Sequence, residues 1–257
     1  GVAIMFSNYD HSLKFTRKMM MIWNFIMIVA YATLFLFSTK YIIFNHLSRD
    51  FLDTLNYIPA SPDLVFFTSI ILYSLMIFIM VFFDRRIQEY PFENGLYLGI
   101  EIILAIFIMQ SLYFSYTGII YMIFCDTIYR FKDNKYVKFL IIPLSVLLII
   151  SNYDFFSTLF PLTNAQSYFT VFSHSVTGAL QIGRNFLDII NLLLFIIFMM
   201  LYIANEVQEN ERITQELNMI HQVNHELQNY AAVSEKIAEN NERKRLAREI
   251  HDTLGHA

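Results

Sequence analysis

The chain has 257 residues, of which 56% are hydrophobic and only 16% are charged, and its formal net charge is −4. Because an ordinary soluble domain is about half apolar and about a quarter charged, this composition indicates a membrane protein and excludes a disordered or fibrous chain. The negative net charge predicts no direct binding to nucleic acid. The single cysteine, Cys125, excludes an intrachain disulfide and a paired-cysteine metal site, and no metal site is predicted.

The charges divide the chain into two regions. Residues 1–204 carry 24 of the 40 charged residues, 12 basic and 12 acidic, whereas the last 53 residues carry the other 16 and the whole net charge. The first region is therefore predicted to be an apolar membrane body, and the second a charged helix in water. The sequence starts with Gly and stops within a helical pattern, so we expect the chain to be part of a longer protein.

Apolar stretches that could cross a bilayer recur through the body. A membrane-spanning helix needs about 20 apolar residues. The run 96–129 is too long for one span, and turn-forming residues between Ser111 and Gly118 predict that it folds into two short helices. The predicted fold is an all-α membrane protein with a short segment at 1–18 and a six-helix sensor domain at 19–204. The predicted spans are 19–38, 64–83, two within 96–129, 139–153 and 186–204.

Lys and Arg residues predict the orientation of the body. With the N-terminus inside, the inner segments hold nine Lys and Arg residues and the outer segments only three, Lys40, Arg49 and Arg184. An even number of spans returns the charged helix to the same side, so both termini are expected to be cytoplasmic in a multi-pass plasma-membrane protein. The outer loops, 39–63 and 154–185, are too short for a large folded domain, and the second is compatible with an interfacial amphipathic helix.

Two acidic residues of the body were candidates for function. Glu101 lies one turn into the third predicted span, where a carboxylate suggests a functional role, but it is close enough to the inner surface to reach water. Asp126, at the inner end of the fourth predicted span, is expected to be solvated. The two lone histidines His46 and His174 define no metal or haem site.

Residues 205–241 are predicted to form a signalling coiled coil. Apolar positions follow one another at steps of 4, 3, 7 and 4 residues, and Asn224 occupies the missing seam position. A buried Asn at such a position fixes the register of a two-stranded coiled coil. The segment therefore favours a parallel homodimer over a solvated single helix. The seam positions are Ile213, Leu217, Ile220, Leu227 and Ala231.

The last sixteen residues, 242–257, read ERKRLAREIHDTLGHA. This run resembles the phosphoacceptor helix of bacterial sensor histidine kinases, in particular the subfamily that includes the nitrate sensors and the membrane-thermosensor kinase. The pattern of that subfamily, E-R-x-R-[IL]-A-R-E-[IL]-H-D-x-x-G-H/Q, is matched at every fixed position. The segment is therefore expected to begin a dimerisation and histidine phosphotransfer domain that is cut short.

The spacing of the run is consistent with that chemistry. At 100° per residue His251 lies beside an apolar stripe and near Lys244 and Arg248, so its ring is expected to be exposed. An oriented imidazole can attack a phosphoryl group, Asp252 can orient the ring, and the two cations can stabilise phosphate charge. The stripe that would face a partner helix is Leu246, Ile250 and Leu254.

The resemblance implies a function for the parent protein. His251 would be the phosphoacceptor, Asp252 its general base or orienting group, and His256 part of a motif that dephosphorylates the partner. ATP and Mg²⁺ would be bound by a domain that these 257 residues do not include, and a cytoplasmic response regulator would receive the phosphoryl group on an Asp. The fragment alone is not expected to be active.

Two other classes of protein stay open at this point. One is a polytopic transporter, which needs polar residues at the membrane midplane. The other is a non-catalytic receptor that acts through its coiled coil. The sequence does not identify the stimulus, although the short outer loops favour a signal in or at the membrane. Membrane lipids are expected partners.

Overall fold

The computed structural model of the protein describes residues 2–55, 58–84, 91–131, 142–147 and 165–255, and within them the side chains of 9–55, 58–84, 95–131, 142–147 and 165–252. All regular secondary structure in these ranges is helical, which confirms the predicted all-α class. The helices are α1 (Val2–Phe44), α2 (Ser48–Asp53), α3 (Pro62–Asp84), α4 (Pro91–Ser111), α5 (Ile119–Arg130), α6 (Ala165–Phe169) and α7 (His174–Gly255). Residues 142–147 are also helical.

The first helix, α1, runs unbroken for 43 residues because it contains neither Pro nor Gly. It ends where His46 adopts a left-handed conformation with φ of 57°. There the N–H of Leu47 donates to the carbonyl of Ile42 at 3.0 Å, which is the Schellman arrangement that closes helix ends. Residues 2–18 and the first predicted span therefore belong to the same helix.

The predicted interruption of the apolar run 96–129 is confirmed. After Ser111, Tyr113 and Phe114 adopt left-handed conformations with φ of 54° and 53°, and the N–H of Phe114 donates to the carbonyl of Met109 at 2.7 Å. Helix α5 starts only at Ile119 and has 12 residues. Since a helix rises about 1.5 Å per residue, α5 is about 18 Å long and too short to cross an apolar core of about 30 Å by itself.

Three helices among the described residues are long and apolar enough to cross a membrane. They are α1 from Tyr9, α3, and α7, while Gly95–Ser111 of α4 is a shorter apolar helix. Of the predicted span 139–153, only 142–147 lies within the described residues. The other three of the six predicted spans therefore remain predictions.

The core of the membrane body surrounds α5. Nine of its side chains are buried, from Ile119 to Ile128, and it packs against α1 and α4. Helix α1 also packs against α2, α3 and α6, and α3 packs against α4. A helix that is apolar on all sides belongs in the interior of a bundle, and α5 meets that expectation except at Asp126, Thr127 and Arg130.

The second predicted outer loop does not form a separate interfacial helix in its described part. Helix α6 has only five residues, and α7 begins at His174, so residues 174–185 belong to the same helix as the last predicted span. The hydroxyl of Thr177 donates to the carbonyl of Phe169 at 2.6 Å and joins α6 to the start of α7. No proline follows His174 in α7 to stop the helix.

The chain forms two compact units, residues 1–202 and residues 203–257. The second unit is the C-terminal part of α7, and all its side chains from residue 210 to residue 252 are exposed. The predicted seam is among them, with Leu217 at 51% and Leu227 at 63% exposure. An apolar stripe that is exposed in the single chain is consistent with packing against a partner helix. The coiled coil itself stays a prediction.

We expect disulfide crosslinking to reveal that seam. With Cys125 replaced by Ala, cysteine at Leu217 or Ile220 should join two chains several times faster than cysteine at the outward position Gln215. Seam positions face each other across a parallel coiled coil, whereas outward positions do not. The measurement is the rate of dimer formation on a non-reducing gel after mild oxidation in membranes. Equal rates at all three positions would contradict the predicted seam.

Candidate functional site: an exposed histidine and a buried charge cluster

His251 is freely accessible on α7. Its side chain is 88% exposed and that of Asp252 is 81% exposed, and the Nδ1 atom of His251 lies 3.8 Å from the Oδ1 atom of Asp252. This separation is longer than a hydrogen bond, but a side-chain rotation can close it, as is common in catalytic pairs without substrate. The structure therefore places the predicted acceptor and its orienting carboxylate side by side and open to a reactant.

The other predicted site residues have different positions. Lys244 and Arg248 are exposed on the same helix, within two turns before His251. The neighbouring Arg243 and Arg245 each donate a hydrogen bond of 2.7 Å to an acidic side chain one turn earlier on the helix. His256 lies outside the described residues. Two exposed cations therefore precede His251 on the same helix.

A second polar site, which the sequence did not reveal, lies inside the membrane body. We call it the charge cluster: Arg17 of α1, Asp84 of α3, Glu101 of α4, and Asp126 and Arg130 of α5. The guanidinium of Arg17 donates two hydrogen bonds to the Asp84 carboxylate, at 2.7 and 2.8 Å. Its Nε atom lies 2.6 Å from the Oδ1 atom of Asp126, in an ion pair whose N–H is not aligned for a hydrogen bond.

Arg130 closes the cluster from the end of α5. It donates to the carboxylate of Asp126, lies 3.1 Å from the Asp84 carboxylate, and donates to the hydroxyl of Tyr97 at 3.0 Å. Its guanidinium also stacks over the Tyr97 ring at 3.9 Å from the centroid, a favourable cation–π geometry. Four helices are thus joined through two arginines.

Glu101 and Asp126 correct two expectations. Glu101 is 1% exposed and Asp126 is fully buried, so neither reaches water as predicted. The two arginines pair with Asp126, whereas neither oxygen of Glu101 has a hydrogen-bond partner among the described residues. For Asp126 the reason is packing: α5 is surrounded by the body, so the inner end of the fourth predicted span is buried and not solvated.

A separate polar network joins α1, the α4–α5 connection and α7. The hydroxyl of Tyr116 donates to the Oδ1 atom of Asn24 at 2.5 Å, and the amide of Asn191 donates to Tyr116 and to the carbonyl of Gly118, both at 3.1 Å. A Cβ atom on Gly118 would lie 2.4 Å from the Asn191 amide, so a larger residue would displace this amide from its hydrogen bonds. Non-helical backbone inside a membrane body is tolerated where it is buried in protein like this.

The polar sites offer no evident place for a metal ion. Within the described ranges, no group of three or more His, Cys, Asp or Glu side chains is placed to hold one. The carboxylates of the charge cluster instead have arginine partners, apart from Glu101.

Comparison of the chain with models of protein families, with curated proteins and with solved structures finds no match in any of the three.

Proposed function

We propose that this chain is the membrane and phosphoacceptor part of a sensor histidine kinase of a two-component system. The observation that carries the proposal is the run 242–257, which matches the phosphoacceptor pattern at every fixed position. The exposure of His251 and its position beside Asp252 support it, because a phosphoacceptor must meet both a nucleotide domain and a response regulator.

The proposed reaction uses His251 as a nucleophile. The Nε2 atom of the neutral imidazole attacks the γ-phosphorus of ATP, the bond from that phosphorus to the β–γ bridging oxygen breaks, and ADP leaves. The proton on Nδ1 becomes acidic as the ring gains positive charge, and the Asp252 carboxylate accepts it. Lys244 and Arg248 lie on the same helix and can stabilise the negative charge of the moving phosphoryl group.

The nucleotide is bound by a separate catalytic domain in this proposal. The 257 residues contain neither the Asn-containing box nor the Gly-rich box that the resemblance implies for ATP binding. ATP with Mg²⁺ is therefore supplied to His251 by that domain. The phosphoryl group then passes to an Asp of a cytoplasmic response regulator. His256 acts in a separate reaction, in which water hydrolyses the phosphoryl group from that Asp.

The continuity of α7 supports a route for the signal. One helix, His174–Gly255, contains both Asn191, whose amide is hydrogen-bonded in the buried polar network, and His251. A stiff helix passes rotation or translation along its length. In the proposed homodimer, a change around Asn191 would alter how the two His251 rings face their nucleotide domains.

A transporter is the second candidate, and one observation favours it. A cavity of 220 Å³ beside α7 is lined by polar groups including Tyr116, Asp188 and Asn191, which is the interior polarity that a transporter requires. The network atoms of Asn191 and Tyr116 are, however, engaged with each other and with Gly118. This arrangement is that of a structural joint between helices, which leaves the kinase as the better-supported function.

The proposal is tested with the complete natural protein in membranes. We expect label from [γ-³²P]ATP to accumulate on the protein and to be discharged when the receiver domain of its response regulator is added. Nucleotide binding without any labelling would contradict the kinase and favour a non-catalytic receptor. Substrate uptake into vesicles without labelling would favour the transporter.

A further inference from the structure

The charge cluster contains one carboxylate more than it has guanidinium groups. Its two arginines stand against the three carboxylates of Asp84, Glu101 and Asp126, so the cluster carries one excess negative charge if all five groups are ionised. The side chain of Asp84 is 37% exposed and can keep its charge in contact with solvent. The excess charge therefore concerns the two buried carboxylates, Glu101 and Asp126, because an unbalanced charge away from water is costly.

Glu101 is the carboxylate that the arginines do not bind. Arg17 and Arg130 each form ion pairs with both Asp84 and Asp126. Glu101 is 1% exposed, and neither of its oxygens has a hydrogen-bond partner or an ion pair among the described residues. A buried carboxyl without a cationic partner is accommodated best as the neutral acid, which then needs an acceptor for its proton.

Asp126 of α5 is the acceptor that the structure offers. Of the charged groups around Glu101, it exerts the strongest electrostatic influence, and it is close enough for a hydrogen bond if one of the two carboxyls carries a proton. Its Oδ2 atom accepts a hydrogen bond from Arg130, whereas its Oδ1 atom accepts none. One proton shared between the two carboxyls would therefore give each of them a partner.

The other polar neighbours of Glu101 have partners of their own. On α3, the hydroxyl of Tyr73 donates to the carbonyl of Met21 at 2.6 Å. On α4, the hydroxyl of Tyr97 accepts a hydrogen bond of 3.0 Å from Arg130. These contacts leave the Asp126 carboxylate as the group placed to receive a hydrogen bond from Glu101.

The two arginines act in the opposite sense. Arg130 and, more weakly, Arg17 attract negative charge on Glu101, and the Nη1 atom of Arg130 has no hydrogen-bond partner. The alternative arrangement is therefore an ionised Glu101 paired with that atom. The structure does not form this pair and instead places Glu101 beside Asp126, where two ionised carboxylates would repel each other.

We propose that Glu101 is a proton-binding site of the membrane body, in which the neutral acid donates a hydrogen bond to the Asp126 carboxylate. The bound proton balances the charge cluster and joins α4 to α5. Loss of the proton leaves two ionised carboxylates side by side in a buried place, so the packing of α4 against α5 depends on pH. A metal ion fits less well, because the described residues place no three His, Cys, Asp or Glu side chains to hold one.

Infrared spectroscopy of the complete protein in nanodiscs detects this proton directly. The C=O stretch of a neutral carboxyl is separate from the bands of carboxylates and amides, and it shifts in D₂O. We expect such a band at pH 7. It should be lost in Glu101→Gln and retained in the matched control Glu235→Gln, because Glu235 is exposed on α7.

The pH dependence of unfolding measures the same proton independently. In the unfolded chain Glu101 is ionised above about pH 5, so the folded protein binds one proton more and loses stability as the pH rises. Between about pH 5.5 and 7.5, the unfolding constant should rise about tenfold per pH unit relative to that of Glu101→Gln. Histidines titrate in both proteins and cancel from this ratio. Urea titration in uncharged detergent micelles measures both constants.

Four results would overturn the proposal. A ratio that does not change with pH would mean that folding binds no proton at Glu101, and a ratio that falls as the pH rises would assign Glu101 to an ion pair with Arg130. Stabilisation by Na⁺ at constant pH and ionic strength, lost in Glu101→Gln, would assign the site to a metal cation. The fourth is the absence of a neutral-carboxyl band from the unmodified protein at pH 7, a measurement that does not require Glu101→Gln to fold. The proposal does not depend on the kinase function, because both measurements are made without ATP.

Discussion

Replacing His251 with Gln should abolish phosphorylation of the complete protein by ATP, while membrane insertion and dimerisation continue. Glutamine has a similar shape and polarity but cannot form a phosphoramidate, so labelling should fall to background. The residue is 88% exposed, so its replacement removes no packing. Incorporation of label from [γ-³²P]ATP into protein in membranes measures the effect.

His221→Gln is the matched control for this change. His221 is exposed on the same helix, thirty residues earlier, and should be phosphorylated neither before nor after replacement of His251. The control should therefore retain full labelling. Loss of labelling in His221→Gln, or its persistence in His251→Gln, would mean that the acceptor is misassigned.

Replacing Arg17 with Met should destabilise the membrane body by about 3–5 kcal/mol. Removing one partner of a buried ion pair leaves the opposite charge uncompensated in a poorly solvated place, and this is the typical cost. Arg17 is 4% exposed and its partner Asp126 is fully buried, so Met would leave Asp126 with Arg130 alone. The change in unfolding free energy can be measured by denaturant titration in detergent micelles.

Lys14→Met is the control for the charge cluster. Lys14 forms an ion pair of 2.9 Å with Asp10 one turn earlier on α1, and its side chain is 55% exposed. Exposed pairs of this kind contribute about 1 kcal/mol or less. Equal destabilisation by Arg17→Met and Lys14→Met would show that the cluster adds nothing beyond a surface ion pair.

Local sequence signals were sufficient for the helical class and for the break between α4 and α5. The run 96–129 is too long for one span, and Ser and Gly near its middle indicate a turn. The structure puts that turn at Tyr113 and Phe114, where the left-handed backbone conformation is taken by aromatic residues. The place of the break was therefore predictable, whereas the residues that adopt it were not.

The charge cluster was not predictable from the same signals. Arg17 and Arg130 flank apolar runs, and the positive-inside rule reads such residues as solvated anchors. Asp126 is one turn from Arg130 on α5, but both are far in sequence from Arg17 and Asp84. Only the packing of the helices brings the four side chains together. Burial of Asp126 follows from tertiary structure, which hydropathy along the chain does not contain.

The buried polar network had a weak signal in the sequence. Asn24 and Asn191 each interrupt a strongly apolar run, and an Asn within a membrane helix commonly bonds across to another helix. Only the fold shows that these two residues are partners, because 167 positions separate them in the sequence. By contrast, His251 and Asp252 are adjacent in sequence, so a local motif could place them together.

Arg184 lies in a helix and not in a loop. The last predicted span began at residue 186, which left Arg184 in the preceding outer loop, yet α7 is continuous from His174. A helix tolerates isolated glycines at a cost of about 1 kcal/mol each, and packing against α1 can offset that cost.

The chemistry of the phosphoryl bond tests the central proposal most directly. The complete protein is phosphorylated with ATP, digested under alkaline conditions, and mapped by mass spectrometry. We predict phosphate on His251, stable in base and lost within minutes in mild acid, as a phosphoramidate requires. Phosphate that is stable in acid and maps to a Ser, Thr or Tyr would contradict the account.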